Sequence, residues 1–210
     1  MTQRDIIIDR ASKMFVSQGV KAVRMDDIAQ ELSISKRTLY ELFGDKEELL
    51  YHSIRSFYTE GRERRFQQSR ELNNSLEIML ISLRDMIIHA PVSSRIRRNL
   101  KRFYPSVFVR LENDAHANST EDLKCWIKRC VDSGYFTTTA DCDFIVKVLH
   151  ESVQGIMLAE KEERDSVEII SMMTYSIVIF IRGLCTQSGM EIIDRCFTKY
   201  FGNILTSVAL

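Results

Sequence analysis

Side chains between positions 35 and 46 could bind a nucleic acid. Ser35 can open a short helix, because its hydroxyl accepts a backbone N–H at the helix start. Lys36, Arg37 and Thr38 follow it, and a guanidinium can donate two hydrogen bonds to guanine while a threonine methyl can contact thymine. Lys46 lies at a second helix start, where free N–H groups favour an anion such as phosphate. The pattern predicts a surface that reads bases and holds phosphates.

Two short helices and a tight turn must position these side chains. Ile28 lies on the apolar face of the first helix, and Ser33 stands at the turn. Leu39 and Phe43 are four residues apart, so they form the inward face of a second helix that runs from Lys36 to about Phe43. Such a pair of helices is typical of the helix-turn-helix, whose second helix enters the major groove of DNA.

A third helix begins directly after this pair. Asp45 and Glu48 have the spacing of a capping box, which predicts a helix start between them. Tyr40 and Lys46 are predicted to hold phosphates, which orients a protein on DNA without reading its sequence. Arg24, near the start of the first short helix, is also expected to reach a phosphate.

The first fifty residues resemble the TetR family of bacterial transcriptional regulators. Spacing, capping residues and apolar faces agree together, so the resemblance is specific. The positions that carry it are Ile7, Ile8, Asp9, Arg10, Ala11, Met14, Phe15, Gly19, Asp27, Ile28, Ala29, Ile34, Ser35, Thr38, Leu39, Tyr40, Phe43, Lys46, Glu47, Glu48 and Leu49.

Three positions depart from the pattern of this family. Ser33 replaces the usual turn glycine, and we expect it to adopt the left-handed backbone conformation at modest cost. Arg24 stands near the place where Thr or Ser often opens the second helix of the head. Glu41 occupies a position where a basic residue or histidine is common, so the base preference stays open.

The resemblance implies an all-α protein with two domains. Residues 1–48 would form a three-helix DNA-binding head, and residues 49–210 a larger ligand-binding and dimerisation body. The implied activity is repression relieved by a small-molecule effector. A two-fold homodimer would present two recognition helices to a near-palindromic operator in double-stranded DNA.

Composition is compatible with this interpretation but less specific. The 210 residues are 45% hydrophobic, with 2 prolines and 8 glycines, which favours a largely helical chain with a substantial core. The formal net charge is zero, which by itself argues against a nucleic-acid partner. Net charge is a weak test, however, because only the charges that face DNA act strongly on it.

The five cysteines form no CxxC pair and have no histidine at zinc-ligand spacing. We expect reduced, buried thiols in a cytoplasmic protein, with a redox sensor as the alternative. The N-terminus has no apolar segment of signal-peptide length. The longest apolar run, residues 177–181, is too short to span a membrane.

The remaining chain is predicted to be helical throughout. Asn73 and Asn74 are expected to break the helix that starts at Asp45, and Pro91 is expected to end the next one. A capping box that starts at Asp165 opens a long helix. The predicted helices span residues 45–69, 75–90, 94–102, 105–113, 119–132, 140–161, 165–186 and 190–206, with a loop at 116–119.

Two of these helices, over residues 144–184, are apolar on more than one face. A helix of this kind has a partner besides its own core, or it is simply buried at the centre of the chain. The resemblance implies that this pair forms a homodimer interface as a four-helix bundle. The predicted interface residues are Phe144, Val148, Ile156, Ile170, Ile177, Phe180 and Ile181.

A ligand pocket is expected among the helices between residues 75 and 157, where aromatic and polarizable side chains gather. Each of them could equally be plain core. The mixture favours an apolar or aromatic effector. The predicted pocket residues are Met86, His89, Phe103, Tyr104, Phe108, Trp126, His150 and Met157.

The sequence contains no recognised enzyme signature. The pair His150 and Glu151 begins an HExxH motif, but Gln154 stands where the second zinc-binding histidine must be. We therefore expect no catalytic residues, no metal and no cofactor. Two alternatives stay open: a helical interaction protein with a vestigial DNA-binding head, and a helical enzyme with an unrecognised site.

Overall fold

This computed structural model describes residues 2–137, 141–158 and 165–201, without the side chains of residues 115–119. Helices make up nearly all of that part of the chain, and no strand longer than a single bridge, between Phe136 and Cys185, occurs in it. The all-α prediction is confirmed. The helices are α1 (Gln3–Gln18), α2 (Met25–Glu31), α3 (Lys36–Phe43), α4 (Lys46–Ser69), α5 (Ser75–Phe103), α6 (Pro105–Asp132), α7 (Cys142–Leu158), α8 (Ser166–Leu184) and α9 (Gln187–Cys196), followed by a π-helical turn (Phe197–Phe201).

The chain forms two compact units. The first unit consists of residues 1–63 and 95–116, and the second unit of residues 64–94 and 117–210. Helices α4, α5 and α6 each contribute residues to both units. The boundary predicted after residue 48 separates DNA binding from ligand binding and dimerisation. It stays a prediction.

The core of the first unit is built from the apolar faces of α1 to α4. Phe15, Ile28, Leu39 and Leu49 are almost completely buried. Thr2 caps α1, because its hydroxyl accepts the backbone N–H of Asp5 and so satisfies one of the free donors at the helix start.

The core of the second unit is built from α5 to α9. The side chains of Leu83, Leu149, Ile177 and Ile193 share one buried cluster, and α7 packs against α8. Asp165 caps α8 by accepting the backbone N–H of Glu168 at 2.7 Å, as its sequence position predicted.

The prediction that Pro91 ends a helix was wrong. Helix α5 continues through Pro91 to Phe103, so the predicted piece 94–102 is its second half. A proline inside a helix removes one backbone hydrogen bond and costs about 3 kcal/mol. Burial of Ile87 and Ala90 before it, and of Ile96 and Leu100 after it, offsets that cost.

The predicted loop at residues 116–119 was also wrong. Helix α6 is continuous from Pro105 to Asp132 and joins the two predicted pieces 105–113 and 119–132. Leu111 and Ile127 are buried on either side of this stretch, so packing holds both halves of the helix. Ala117, within the stretch, also favours helix.

The ends of the last helices differ slightly from the prediction. Helix α8 ends at Leu184, and Thr186 caps α9 instead, accepting the backbone N–H of Gly189 at 3.3 Å. Helix α9 therefore begins at Gln187, three residues before the predicted start. The predicted helical residues 140, 159–161 and 202–206 lie outside the described residues.

Helix α8 is long and apolar enough to cross a membrane by length and composition alone, although its longest uninterrupted apolar run is residues 177–181. Core helices pass the same test, and α8 buries Ile169, Met173, Ile177 and Ile181 inside the second unit. Helix α8 therefore contributes one buried face to the core of the second unit. Only 28% of its apolar window is buried, however, so much of its surface still faces outward.

All five cysteines are free thiols, but only Cys130 and Cys196 are buried, while Cys125 is exposed. Desolvation raises the pKa of Cys130 to about 12 and the pKa of Cys185 to about 11. Neither of these two thiols forms a thiolate readily near neutral pH, which argues against a redox role for them.

Candidate nucleic-acid interface

Helices α2 and α3 meet at a tight turn that has the predicted conformation. Ser33 has a φ of 53°, the left-handed conformation that a glycine would adopt without strain. The backbone N–H of Ile34 then donates to the carbonyl of Ala29 at 3.0 Å, which closes the turn. Ser35 caps α3 by accepting the backbone N–H of Thr38 at 3.0 Å.

Helix α3 has one packed face and one solvent face. Leu39 and Phe43 are buried against the rest of the head. The Arg37 side chain is 87% exposed, and Tyr40 is 44% exposed. The Thr38 hydroxyl lies 2.8 Å from the Ser35 hydroxyl, so it is part of the cap as well as a candidate DNA contact.

Two predicted base-reading cations have acidic partners inside the head. The Lys36 ammonium lies 2.7 Å from the Asp26 carboxylate on α2. The Arg37 guanidinium donates to the Glu41 carboxylate at 2.7 Å, one turn along α3. The hydrogen bond to Asp26 and its charge raise the pKa of Lys36. Each of these two cations thus has a carboxylate partner on the surface around α3.

The predicted phosphate-binding residues lie at helix starts. Arg24 is the N-cap residue of α2, where its backbone N–H donates to Asp27 at 2.7 Å and its side chain is exposed. Asp45 caps α4 by accepting the backbone N–H of Glu48 at 2.8 Å. Lys46 follows in the first turn of α4, as predicted.

The Lys46 ammonium lies over two aromatic rings. Its nitrogen is 5.2 Å from the ring centroid of Tyr104 and 5.9 Å from that of Phe15. Cation–π attraction therefore restricts the position of this charge at the start of α4.

Sequence reasoning missed a set of contacts between α4 and α6 in the first unit. The Arg110 guanidinium donates to Glu48 at 2.7 Å, and the Tyr51 hydroxyl donates to Asp114 at 2.7 Å. Ser106 donates to Glu47 in the same region. These partners are about sixty positions apart in the chain, and no short-range pattern could have paired them.

The predicted pocket residues belong to different units. Phe103, Tyr104 and Phe108 lie in the first unit, whereas Met86, His89, Trp126, His150 and Met157 lie in the second. His89 Nδ1 is 2.8 Å from the carbonyl oxygen of Asp85, and His150 Nε2 is 3.2 Å from the Gln154 side-chain nitrogen.

An open cavity of about 270 Å³ lies in the second unit, between the start of α5 and the end of α6. Trp126 is its one predicted pocket residue. The full lining is Asn73, Ser75, Ile78, Trp126, Arg129, Asp132 and Ser133.

The predicted interface residues of α7 and α8 differ in exposure. Phe144 is 64% exposed, whereas Ile156, Ile177 and Ile181 are buried within the chain itself. Val148, Ile170 and Phe180 are half-buried. The structure also exposes three apolar residues of α8 that the prediction omitted, namely Val167, Tyr175 and Ile179.

Residues 7–52 match the family model described as bacterial regulatory proteins, tetR family. A helix-turn-helix-type transcriptional regulator of Staphylococcus aureus strain USA300 is 32% identical over 118 residues, which cover 51% of this chain and 61% of that protein. The match thus spans less than two thirds of the length of this relative.

Solved structures share the fold over most of the chain. A TetR-family transcriptional regulator from Pectobacterium atrosepticum has a TM-score of 0.72 at 22% identity, covering 88% of this chain and 94% of the other. A transcriptional regulator from Cytophaga hutchinsonii has a TM-score of 0.75 at 17% identity, covering 87% of this chain and 98% of the other. The helix-turn-helix head of this chain, residues 7–52, is thus similar to the tetR family of bacterial regulatory proteins, and most of the chain shares the helical fold of solved TetR-family regulators.

Proposed function

We propose that this chain is a cytoplasmic, ligand-responsive repressor that binds a near-palindromic operator as a homodimer. Residues 1–48 act as the DNA-binding domain, and residues 49–210 bind the effector and form the dimer. The chain acts by binding and not by catalysis.

The observation that carries this proposal is the solvent face of α3. A helix held on one side by Leu39 and Phe43 leaves Arg37 on the solvent face, where it can enter the major groove. Lys46, at the start of α4, holds a backbone phosphate, since a helix N-terminus favours an anion. Arg24, Ser35, Lys36, Thr38 and Tyr40 complete the DNA surface.

The exposed apolar residues of α7 and α8 support a homodimer. Phe144, Tyr175 and Ile179 are each more than half exposed, although such residues usually lie inside a protein. A second copy that packs the same two helices against them removes this surface from water. The result is a four-helix bundle with the two heads related by a two-fold axis.

The effector acts by shifting a conformational equilibrium. It binds the body, prefers a conformation in which the two heads are wrongly spaced for the operator, and so lowers the affinity for DNA. Within the second unit, the predicted pocket residues Met86, Trp126 and Met157 favour an apolar or aromatic effector.

The alternative function is a helical interaction protein with a vestigial head. The acidic partners of Lys36 and Arg37 favour this alternative, because they neutralise the cations that DNA must attract.

Selection of the purified protein from a random duplex DNA library tests the proposal against this alternative. Mass spectrometry first verifies that no small molecule is bound, and light scattering verifies a folded dimer. We expect recovery of a near-palindromic site. Arg37→Ala should relax one position of the site, whereas Lys46→Ala should weaken all sequences evenly.

Lys13→Ala is the matched control, because Lys13 is an exposed lysine of α1 that pairs with Asp9. This variant should leave both the recovered DNA sequence and the affinity for it unchanged. A folded, ligand-free dimer that enriches no sequence would support the alternative function.

A further inference from the structure

The solvent face of α3 is centred on two residues of opposite charge. At about 100° per residue, Arg37 and Glu41 lie about 140° and 180° from the midpoint of the buried pair Leu39 and Phe43. Lys36 lies only about 40° from that midpoint and pairs with Asp26 on α2. If α3 enters the major groove, as in the function proposed above, Glu41 faces the bases as directly as Arg37 does.

The two side chains form one unit before DNA binds. Arg37 Nε donates to Glu41 Oε1 at 2.7 Å, and both side chains are largely exposed. This geometry leaves both terminal nitrogens of Arg37 to donate to O6 and N7 of a guanine. It also leaves the second carboxylate oxygen of Glu41 with capacity to accept a hydrogen bond.

A carboxylate in the major groove needs a donor from the DNA. Phosphates repel it and thymine offers only an acceptor and a methyl group, whereas cytosine offers the N4 amino group as a donor without a neighbouring N7 acceptor. Adenine also donates through N6, but its adjacent N7 acceptor repels a carboxylate. Cytosine is therefore the base that matches Glu41.

We propose that Glu41 is a specificity-determining residue that accepts a hydrogen bond from cytosine N4, while Arg37 reads a guanine beside it. This inference rests on the proposed function. Residues 37 and 41 are one helical turn apart, or about 6 Å along the axis, which corresponds to about two base-pair steps. Each half-site should therefore contain the guanine and the cytosine within two base pairs of each other.

Glu41→Gln tests this inference in the same DNA selection. Glutamine keeps the shape of the side chain but reads adenine through N6 and N7. We expect the preference at one position of each half-site to change from cytosine to adenine. Discrimination for cytosine at that position should fall by about tenfold to a hundredfold, which is the value of one good base contact.

Glu31→Gln provides the matched control. Glu31 lies at the end of α2 and pairs with Arg10, so this variant makes the same charge change away from the groove-facing surface. It should change the affinity for all sequences evenly and leave the base preferences intact. If Glu41→Gln behaves in the same way, the inference is wrong although the proposed function stands. If the wild-type protein enriches no site, both are wrong.

Discussion

The guanidinium of Arg110 lies 3.8 Å from the ring centroid of Tyr51 and donates to Glu48 at 2.7 Å. One side chain of α6 therefore contacts two successive turns of α4 within the first unit. The hydrogen bond from Arg110 lowers the pKa of Glu48, which indicates that the ionised carboxylate is favoured there. Packing and charge thus act together at this contact.

Arg110→Ala should lower the free energy of unfolding by about 1 kcal/mol, because it removes a cation–π contact and an ion pair that is partly exposed. Urea denaturation followed by circular dichroism measures the change. Lys124→Ala, which removes a solvent-screened pair with Asp143, should change the free energy of unfolding much less. An equal fall in the free energy of unfolding in both variants would contradict a larger contribution of Arg110 to stability.

Tyr58→Phe should leave stability unchanged or raise it by about 1 kcal/mol. The Tyr58 hydroxyl is buried without a hydrogen-bond partner in the described residues, and burial raises the pKa of Tyr58 to about 12. Removing an unsatisfied hydroxyl removes a desolvation cost. The matched variant Tyr51→Phe should instead lower the free energy of unfolding by about 1 kcal/mol, because the Tyr51 hydroxyl donates to Asp114. A clear loss in Tyr58→Phe would mean that a bound water satisfies this hydroxyl.

Ser33→Gly should stabilise the head by up to about 1 kcal/mol, because glycine adopts a positive φ without steric cost. Ser33→Val should destabilise it by more than that amount, since a β-branched residue tolerates this conformation poorly. Thermal unfolding of the wild type and the two variants gives the order of their stabilities. The expectation fails if valine and glycine have the same effect.

The charge of His52 should make stability depend on pH. Burial lowers the pKa of His52 below its usual value, so the folded protein favours the neutral ring. The corresponding stability is present above the unfolded pKa, about 6.5, and is lost as the pH falls through the lower folded pKa. His52→Gln should flatten the change in unfolding free energy between about pH 7 and pH 5. An unchanged slope would assign the pH dependence to other groups.

Ile179→Glu should convert the proposed dimer to a monomer, because it places a charge in the apolar contact between two copies. Light scattering across a dilution series measures the mass. Phe66→Glu is the control, since Phe66 is equally exposed but lies on α4, away from the proposed interface. If Ile179→Glu remains as dimeric as Phe66→Glu, another surface forms the dimer.

Local chemistry in the sequence determined the helix-turn-helix. Ser35, Asp45 and Asp165 cap the helices that their positions predicted, and Ser33 takes the predicted left-handed conformation. Caps and turns depend on backbone groups within four residues, so a short stretch of chain contains all the information they need. The buried face of α3, with Leu39 and Phe43, followed from helical periodicity for the same reason.

Only the tertiary structure decided the features that depend on distant partners. Helix α5 passes through Pro91 because core packing on both sides outweighs the local cost of proline. The pairing of Arg110 with Glu48, and of Lys36 with Asp26, joins side chains on separate helices. The exposure of Ile179 beside the burial of Ile177 likewise depends on where α7 packs. Sequence patterns do not predict which residues of separate helices meet, because such long-range contacts arise from the packing of whole helices and not from neighbouring residues.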